Sequence, residues 1–202
     1  MLTDLPNVLT LLRIASIPIL VALVAVQAPW ADAMACVIYV AACITDYLDG
    51  MLARRWKQNS DLGRMMDPIA DKLLVGALLL TLAGYSKLTL GSLFAAIIIM
   101  LREILVSGLR EYMATQRATL PSTRLAKWKT GIQMVAIGML LAGDSTAALI
   151  DMPWLPVGRL GGALLWFSVI PTVVSGWGYL LAGVTRMTQA AKSARLASKA
   201  AP

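Results

Sequence analysis

Apolar residues run through this chain in long blocks, and short polar connections separate one block from the next. A helix needs about 20 mostly apolar residues to cross a bilayer, and most of the blocks reach that length. The pattern therefore predicts an all-α integral membrane protein with six transmembrane helices, forming a single domain over residues 1–202. A short surface segment at 1–6 and a basic tail at 187–202 flank the helices, and we expect the tail to be frayed and solvated. The expected spans are residues 7–27, 33–56, a third that ends near 83, then 88–115, 125–142 and 157–185.

Composition and charge agree with this class. Hydrophobic residues make up 58% of the chain and charged residues 14%. By our assignment, 16 of the 18 lysines and arginines fall on the side of the bilayer that also holds both chain ends. Cytoplasmic loops carry such an excess of positive charge, so we expect the polar helix ends to face the cytoplasm. No nucleic-acid partner is expected, because the positive charge lies in the connections and forms no continuous surface.

A polar stretch from Asp46 to Asp71 interrupts the apolar pattern between the second and third spans. Asp46 and Asp49 lie on one helix face, at i and i+3, and Asp67 and Asp71 are one turn apart on the next helix. Because the connection is short, the two helices are expected to be antiparallel neighbours whose acidic faces meet. Each carboxylate at membrane depth costs about 2.5–3.5 kcal/mol on insertion scales, and repulsion among the four adds to this cost.

The charge of these four aspartates requires a compensating cation. Lys72 and Arg54 offset part of it, but a cluster of oxygen ligands is better suited to one or two divalent ions. The chain contains no histidine, and its two cysteines, Cys36 and Cys43, lie elsewhere. These facts argue against zinc and favour Mg²⁺ or Mn²⁺. The plainer alternative for any single aspartate is a helix cap.

Residues 46–71 follow the pattern D-x2-D-G-x2-A-R-x8-G-x3-D-x3-D. This resembles the signature of the CDP-alcohol phosphotransferase family, membrane enzymes that move a phosphatidyl or similar group from a CDP-linked donor to an alcohol. The resemblance implies that Asp46, Asp49, Asp67 and Asp71 bind two Mg²⁺ or Mn²⁺ ions, and that Asp71 is also the general base toward the acceptor. It further implies a homodimer in a bacterial cytoplasmic membrane. The residues implied to contact the CDP moiety are Gly50, Ala53, Arg54 and Gly63.

Polar residues on the cytoplasmic side of the other spans are candidates for binding phosphate. In the first span Asn7, Thr10 and Arg13 recur every three residues. An arginine at this depth either snorkels to the surface or meets an anion.

A second basic set lies at the cytoplasmic ends of the fourth and fifth spans and comprises Arg110, Lys127 and Lys129. These residues are either solvated positive-inside charges or a phosphate-binding group. With the N-terminal set, they resemble the family branch that uses CDP-diacylglycerol as donor and glycerol 3-phosphate as acceptor. That resemblance implies that both sets bind the phosphates of the donor or the acceptor. Spans two to five all become polar on the same side, so we expect a polar cavity within the cytoplasmic half of the bilayer that a membrane lipid enters sideways.

Three alternatives remain open from the sequence. Pro68 marks either the start of a helix capped by Asp67 or a bend within an earlier helix. The acceptor is alternatively inositol phosphate, serine or a second lipid. A cation transporter would also place aspartates in a membrane, but it would distribute them through the bilayer, whereas here they cluster on one side.

Overall fold

Six helices make up the described fold in the computed structural model. The structure describes the backbone of residues 5–56, 61–115 and 124–200, and the side chains of 7–48, 51, 66–115, 128–186 and 188. No strand occurs within these backbone ranges, and five of the helices are long and apolar enough to cross a membrane. The prediction of an all-α membrane protein is confirmed. The helices are α1 Leu5–Val26, α2 Pro29–Trp56, α3 Asp61–Gly84, α4 Leu90–Thr115, α5 Arg124–Leu149 and α6 Val157–Ala200.

Helix α1 lies between α2 and α3 and packs against both. The remaining helices extend this group, since α5 packs on α2 and α6, and α4 packs on α6. The core between them is almost wholly apolar, and the large side chains of Tyr39, Leu78 and Ile137 are fully buried in it. Large apolar side chains also cover the outside, as expected of helices that face lipid.

The first three helices each bury one stripe of side chains that changes from apolar to polar toward the same end of the bundle. Residues three and four apart share a helix face, so each stripe continues directly into the polar residues. In α1 the buried stripe is Asn7, Thr10, Arg13, Leu20 and Val24, in α2 the inward stripe is Ala35, Tyr39, Ala42 and Asp46, and in α3 it is Asp67, Asp71, Leu74, Leu78 and Leu82.

The helix boundaries differ from the expected spans in three places. Helix α3 is continuous through Pro68, so the alternative in which a helix starts there with Asp67 as its cap is wrong. Helix α5 breaks at Gly143, whose combination of φ 61° and ψ −179° is open essentially only to glycine. The chain is helical again up to Leu149, beyond the expected end of the fifth span at residue 142. Helix α6 continues to Ala200, so the expectation of a frayed tail from residue 187 is wrong for the backbone up to Ala200.

The end of the bundle opposite the aspartates of α2 and α3 has its own polar contacts. Asp32, at the start of α2, forms an ion pair with Lys87 and accepts a 2.9 Å hydrogen bond from the Ser145 hydroxyl. Asp144 caps α6 by accepting a 2.8 Å bond from the backbone N–H of Gly158. These contacts fasten α2, α5, α6 and the α3–α4 connection together, at a distance from the candidate site.

Candidate active site

Arg13 of α1 joins the acidic residues of α2 and α3. Its Nη1 lies 2.7 Å from Oδ1 of Asp46 and 3.3 Å from Oδ1 of Asp71. The Arg13 side chain is 1% exposed, whereas those of Asp46 and Asp71 are 28% and 46% exposed. The two carboxylates therefore converge on a buried cation from helix α1. This contact decides between the two interpretations of Arg13, which meets anions and does not snorkel.

A third aspartate is held by the same helix. The hydroxyl of Thr10 donates a 2.7 Å hydrogen bond to Oδ1 of Asp67. Thr10 and Asn7 are both buried, one and two turns before Arg13 on the same stripe. The carboxylates of α2 and α3 are thus connected through α1, whose polar residues lie between them. The expectation that α2 and α3 are direct neighbours is wrong for the described residues, because α1 packs against both helices and separates them.

Part of the predicted site lies outside the described side chains. This applies to the metal ligand Asp49, to the whole set assigned to the CDP moiety, and to one of the four cations assigned to phosphate. The residues concerned are Asp49, Gly50, Ala53, Arg54, Gly63 and Lys127. Their assignments stay predictions.

The described carboxylates suit a divalent ion by their chemistry and their convergence. Oxygens of Asp46 and Asp71 already share one positively charged nitrogen, and carboxylate oxygens are the ligands that Mg²⁺ and Mn²⁺ prefer. Among the described side chains, no three of the histidine, cysteine, aspartate or glutamate type are arranged to hold an ion together. Asp46, Asp67 and Asp71 are within that set, so the shared contact with Arg13 brings only two of them together, and Asp49 lies outside it. The four-aspartate metal site stays a prediction, supported by the chemistry of its ligands.

A second charged cluster joins α4, α5 and α6. Glu103 of α4 forms ion pairs with the buried Lys129 of α5 and, at 3.2 Å, with Arg102. Arg102 also donates to the Thr172 carbonyl at 3.1 Å and to the Ser175 hydroxyl at 2.7 Å, both on α6. Lys129, expected to bind phosphate, is thus already paired with a carboxylate. Glu103 thus offsets part of the positive charge that α4 and α5 bring into the bundle, and polar groups of α6 accept hydrogen bonds from Arg102.

Arg110 has a different environment from Lys129. It is exposed near the end of α4, where its Nη2 donates a 2.8 Å hydrogen bond to the Tyr179 hydroxyl of α6. The guanidinium carbon lies 4.8 Å from the centre of the Tyr179 ring, within the range of a cation–π contact. Tyr179 therefore holds the Arg110 side chain in place while part of the guanidinium stays open to solvent.

A hydrogen bond between α3 and α4 connects the aspartate site with the second charged cluster. Lys72, which follows Asp71 directly, donates a hydrogen bond to the Ser107 hydroxyl. Ser107 lies one turn after Glu103 on α4. Lys72 was expected to offset the charge of the aspartates, but its described hydrogen bond is to the neighbouring helix.

An apolar cavity of about 550 Å³ lies between α2 and α5. Tyr39, Cys43 and Tyr47 line its α2 side, and Met134 and Met139 line its α5 side. Tyr47 directly follows Asp46, so the cavity reaches the acidic end of α2. The polar cavity expected from the sequence stays a prediction.

Fold and site together define a polytopic membrane protein of α-helices that gathers aspartates at one end of its bundle. Comparison with known proteins places it more narrowly, because residues 3–174 match the model of the CDP-alcohol phosphatidyltransferase family. The chain belongs to that family, as the aspartate pattern predicted.

Three similar relatives carry the name CDP-diacylglycerol–glycerol-3-phosphate 3-phosphatidyltransferase. The protein from Cereibacter sphaeroides is 37% identical over 206 residues, covering 87% of this chain and 93% of the relative. The protein from Rickettsia bellii is 36% identical over 179 residues, covering 89% and 94%. The Arabidopsis thaliana protein, numbered 2 in its name, is 42% identical over 154 residues, covering 71% and 66%.

Sequence reasoning missed two features of the site. The contact between Arg13 and the aspartates joins residues far apart in the chain, and the only signal in the sequence was the depth of an arginine within an apolar run. Tyr179 lies in a largely apolar part of α6, and nothing in the local pattern distinguishes it from the other aromatic residues there. Its pairing with Arg110 is visible only in three dimensions.

Proposed function

We propose that this chain transfers the phosphatidyl group of CDP-diacylglycerol to glycerol 3-phosphate, giving phosphatidylglycerol phosphate and CMP. The observation that carries the proposal is the convergence of Asp46, Asp67 and Asp71 around α1, in a chain that belongs to the CDP-alcohol phosphatidyltransferase family. The names of relatives that cover most of this chain support this donor and this acceptor.

Divalent ions are part of this proposal. Asp46, Asp67 and Asp71, with Asp49, would hold two Mg²⁺ or Mn²⁺ ions. Such ions, when bound, neutralise the oxygens of the donor's diphosphate and so weaken its bond to the leaving nucleotide. Helix α1 contributes by contacting carboxylates of both α2 and α3 through Arg13 and Thr10.

Asp71 is the best candidate for the general base. Its side chain is more exposed than that of Asp46, at 46% against 28%, so an acceptor hydroxyl can approach it. In the proposed reaction Asp71 takes the proton of that hydroxyl. The hydroxyl oxygen forms a bond to the phosphorus of the phosphatidyl group, and the bond from that phosphorus to CMP breaks. A carboxylate has to do this work or the metal alone must activate the hydroxyl, because the chain has no histidine.

The acceptor's phosphate is proposed to bind at Arg110. The guanidinium is exposed and oriented by Tyr179, and its planar set of donors matches a phosphate group. Lys129, the other described cation of this set, is buried and paired with Glu103. The donor's acyl chains would lie against the apolar cavity that reaches Asp46 along α2 and α5.

The orientation in the membrane follows from where the substrates are. A nucleotide-linked donor and a phosphorylated acceptor are supplied from the cytoplasm, so the aspartate end of the bundle is proposed to face the cytoplasm in the bacterial inner membrane. The distribution of lysine and arginine supports this orientation. A homodimer is proposed on the family resemblance alone.

The test is product identification by mass spectrometry after incubation of the purified protein with CDP-diacylglycerol. Separate reactions contain glycerol 3-phosphate, inositol phosphate or serine. We expect phosphatidylglycerol phosphate from the first reaction and no lipid product from the other two. A product from inositol phosphate or serine in place of glycerol 3-phosphate would contradict the acceptor, and no product in any reaction would contradict the activity.

A further inference from the structure

Arg13 is a charged residue whose side chain is buried within a membrane-spanning helix. It lies in the third turn of α1 and is the only charged residue of that helix, and its side chain is 1% exposed. Removing a charge from water at this depth is costly unless a counter-charge receives it. Here Asp46 and Asp71 are the counter-charges, at 2.7 Å and 3.3 Å from the same nitrogen. The contact joins three helices.

Two other described cations have different partners. Lys72 donates a hydrogen bond to the Ser107 hydroxyl, and Lys129 forms an ion pair with Glu103. Within the described side chains, Arg13 is therefore the one cation in an ion pair with Asp46 and Asp71. A single positive charge thus offsets much of the repulsion between Asp46 and Asp71, with Thr10 binding Asp67 beside it.

The proposed divalent ions need the same oxygens. A carboxylate oxygen that is paired with a guanidinium has to weaken or give up that contact when it binds a metal ion. The free energy of the arginine contact in the metal-free protein then opposes metal binding, because an interaction present in only one state shifts the equilibrium toward that state.

We propose that Arg13 is an internal counter-cation, which holds Asp46 and Asp71 together in the metal-free protein and competes with divalent ions for their oxygens. This inference rests on the proposed function, since it assumes that these aspartates bind the ions. It assigns Arg13 a positioning role that sets metal affinity. The role differs from the phosphate contact expected from the sequence.

The experiment measures Mn²⁺ binding to the purified full-length protein in detergent, from the electron paramagnetic resonance signal of free Mn²⁺. Arg13→Gln keeps a polar side chain of similar length and removes the charge. We expect it to bind Mn²⁺ at least about tenfold more tightly than the wild type, which corresponds to about 1.4 kcal/mol. Its melting temperature in EDTA should be lower than that of the wild type, and saturating Mn²⁺ should raise that temperature by more than in the wild type.

Arg102→Gln is the matched control. Arg102 is also a largely buried arginine with a carboxylate partner, but its contacts are to Glu103 and to α6. We expect this variant to lower the melting temperature with and without Mn²⁺ by similar amounts and to keep the wild-type Mn²⁺ affinity. A purely structural role for Arg13 would give that same result in Arg13→Gln, and the proposal would then be overturned.

A second variant covers the case in which Arg13→Gln does not fold. Arg13→Lys keeps the charge but replaces the planar fork by a single ammonium group. We expect the weaker contact with the two carboxylates to oppose metal binding less, so the Mn²⁺ affinity of this variant should be higher than that of the wild type. Affinity equal to or below the wild-type value, in whichever variant folds, would refute the competition. If the wild type itself does not bind Mn²⁺, the metal site of the proposed function fails, and the counter-cation role fails with it.

Discussion

The contact between Arg110 and Tyr179 leads to a prediction about the acceptor. Only Nη2 of Arg110 donates to an acceptor among the described residues, at 2.8 Å from the Tyr179 hydroxyl. The remaining N–H groups of the Arg110 guanidinium can donate hydrogen bonds to a phosphate. A hydrogen bond to a charged group contributes about 1.5–3 kcal/mol, and exposure of the site favours the lower value. Arg110→Ala should therefore raise the KM for glycerol 3-phosphate about tenfold, since about 1.4 kcal/mol corresponds to a factor of ten.

Tyr179→Phe tests how much of this effect comes from orientation. The variant keeps the ring under the guanidinium, at 4.8 Å, but removes the hydroxyl that accepts the hydrogen bond. A typical net hydrogen bond contributes about 0.5–1.5 kcal/mol, so the KM for glycerol 3-phosphate should rise about two- to tenfold. Tyr112→Phe is the control, because Tyr112 is an exposed tyrosine two residues after Arg110 on the same helix. It should leave the KM unchanged.

The assay measures CMP release with one substrate varied while the other is saturating. In both Arg110→Ala and Tyr179→Phe, the KM for glycerol 3-phosphate should change more than the KM for CDP-diacylglycerol. If Arg110→Ala changed only the donor's constant, Arg110 would be a donor contact and the acceptor site would be wrong. If Tyr179→Phe had no effect while Arg110→Ala did, the tyrosine would not orient the arginine.

Three further predictions follow from the site and the packing. Asp71→Asn should abolish CMP release while CDP-diacylglycerol still binds in a direct binding assay, and full turnover in this variant would refute its role as base. EDTA should abolish activity, and Mg²⁺ or Mn²⁺ should restore it. Zn²⁺ should not restore it, because oxygen ligands suit the harder ions. Activity that persists in EDTA would contradict the metal site. Gly161→Ala should lower the melting temperature by an amount equivalent to about 1–3 kcal/mol, because its Cβ would lie 3.1 Å from the backbone nitrogen of Leu140. Gly178→Ala on the same helix has open space around the added carbon and should have little or no destabilising effect, so equal losses in both variants would contradict the packing of α5 against α6.

The amino-acid pattern predicted the helices well and some of their ends poorly. The apolar blocks are long, so six helices were visible from length alone. The end of α6 was missed because alanine-rich sequence near the basic tail is a good helix former even outside an apolar block. Pro68 was ambiguous because proline is compatible with the first turn of a helix and with a bend inside one. The structure decides this, with α3 beginning at Asp61.

The candidate site was predictable where residues lie close in sequence. Asp67 and Asp71 share a face of α3 because they are four residues apart. Contacts between distant parts of the chain were not predictable in the same way. Arg13 and Asp71 are 58 positions apart, and Arg110 and Tyr179 are 69 positions apart. Their meeting depends on how α1 and α6 pack, which periodicity does not determine.

The most direct test is to locate Mn²⁺ in crystals of the protein by anomalous X-ray scattering, with CDP-diacylglycerol present. We expect anomalous peaks within coordination distance of the carboxylates of Asp46, Asp67 and Asp71, adjacent to the diphosphate of the lipid. Peaks elsewhere, or these three aspartates on separate faces and unable to share an ion, would contradict the proposal that they bind the metal for phosphatidyl transfer.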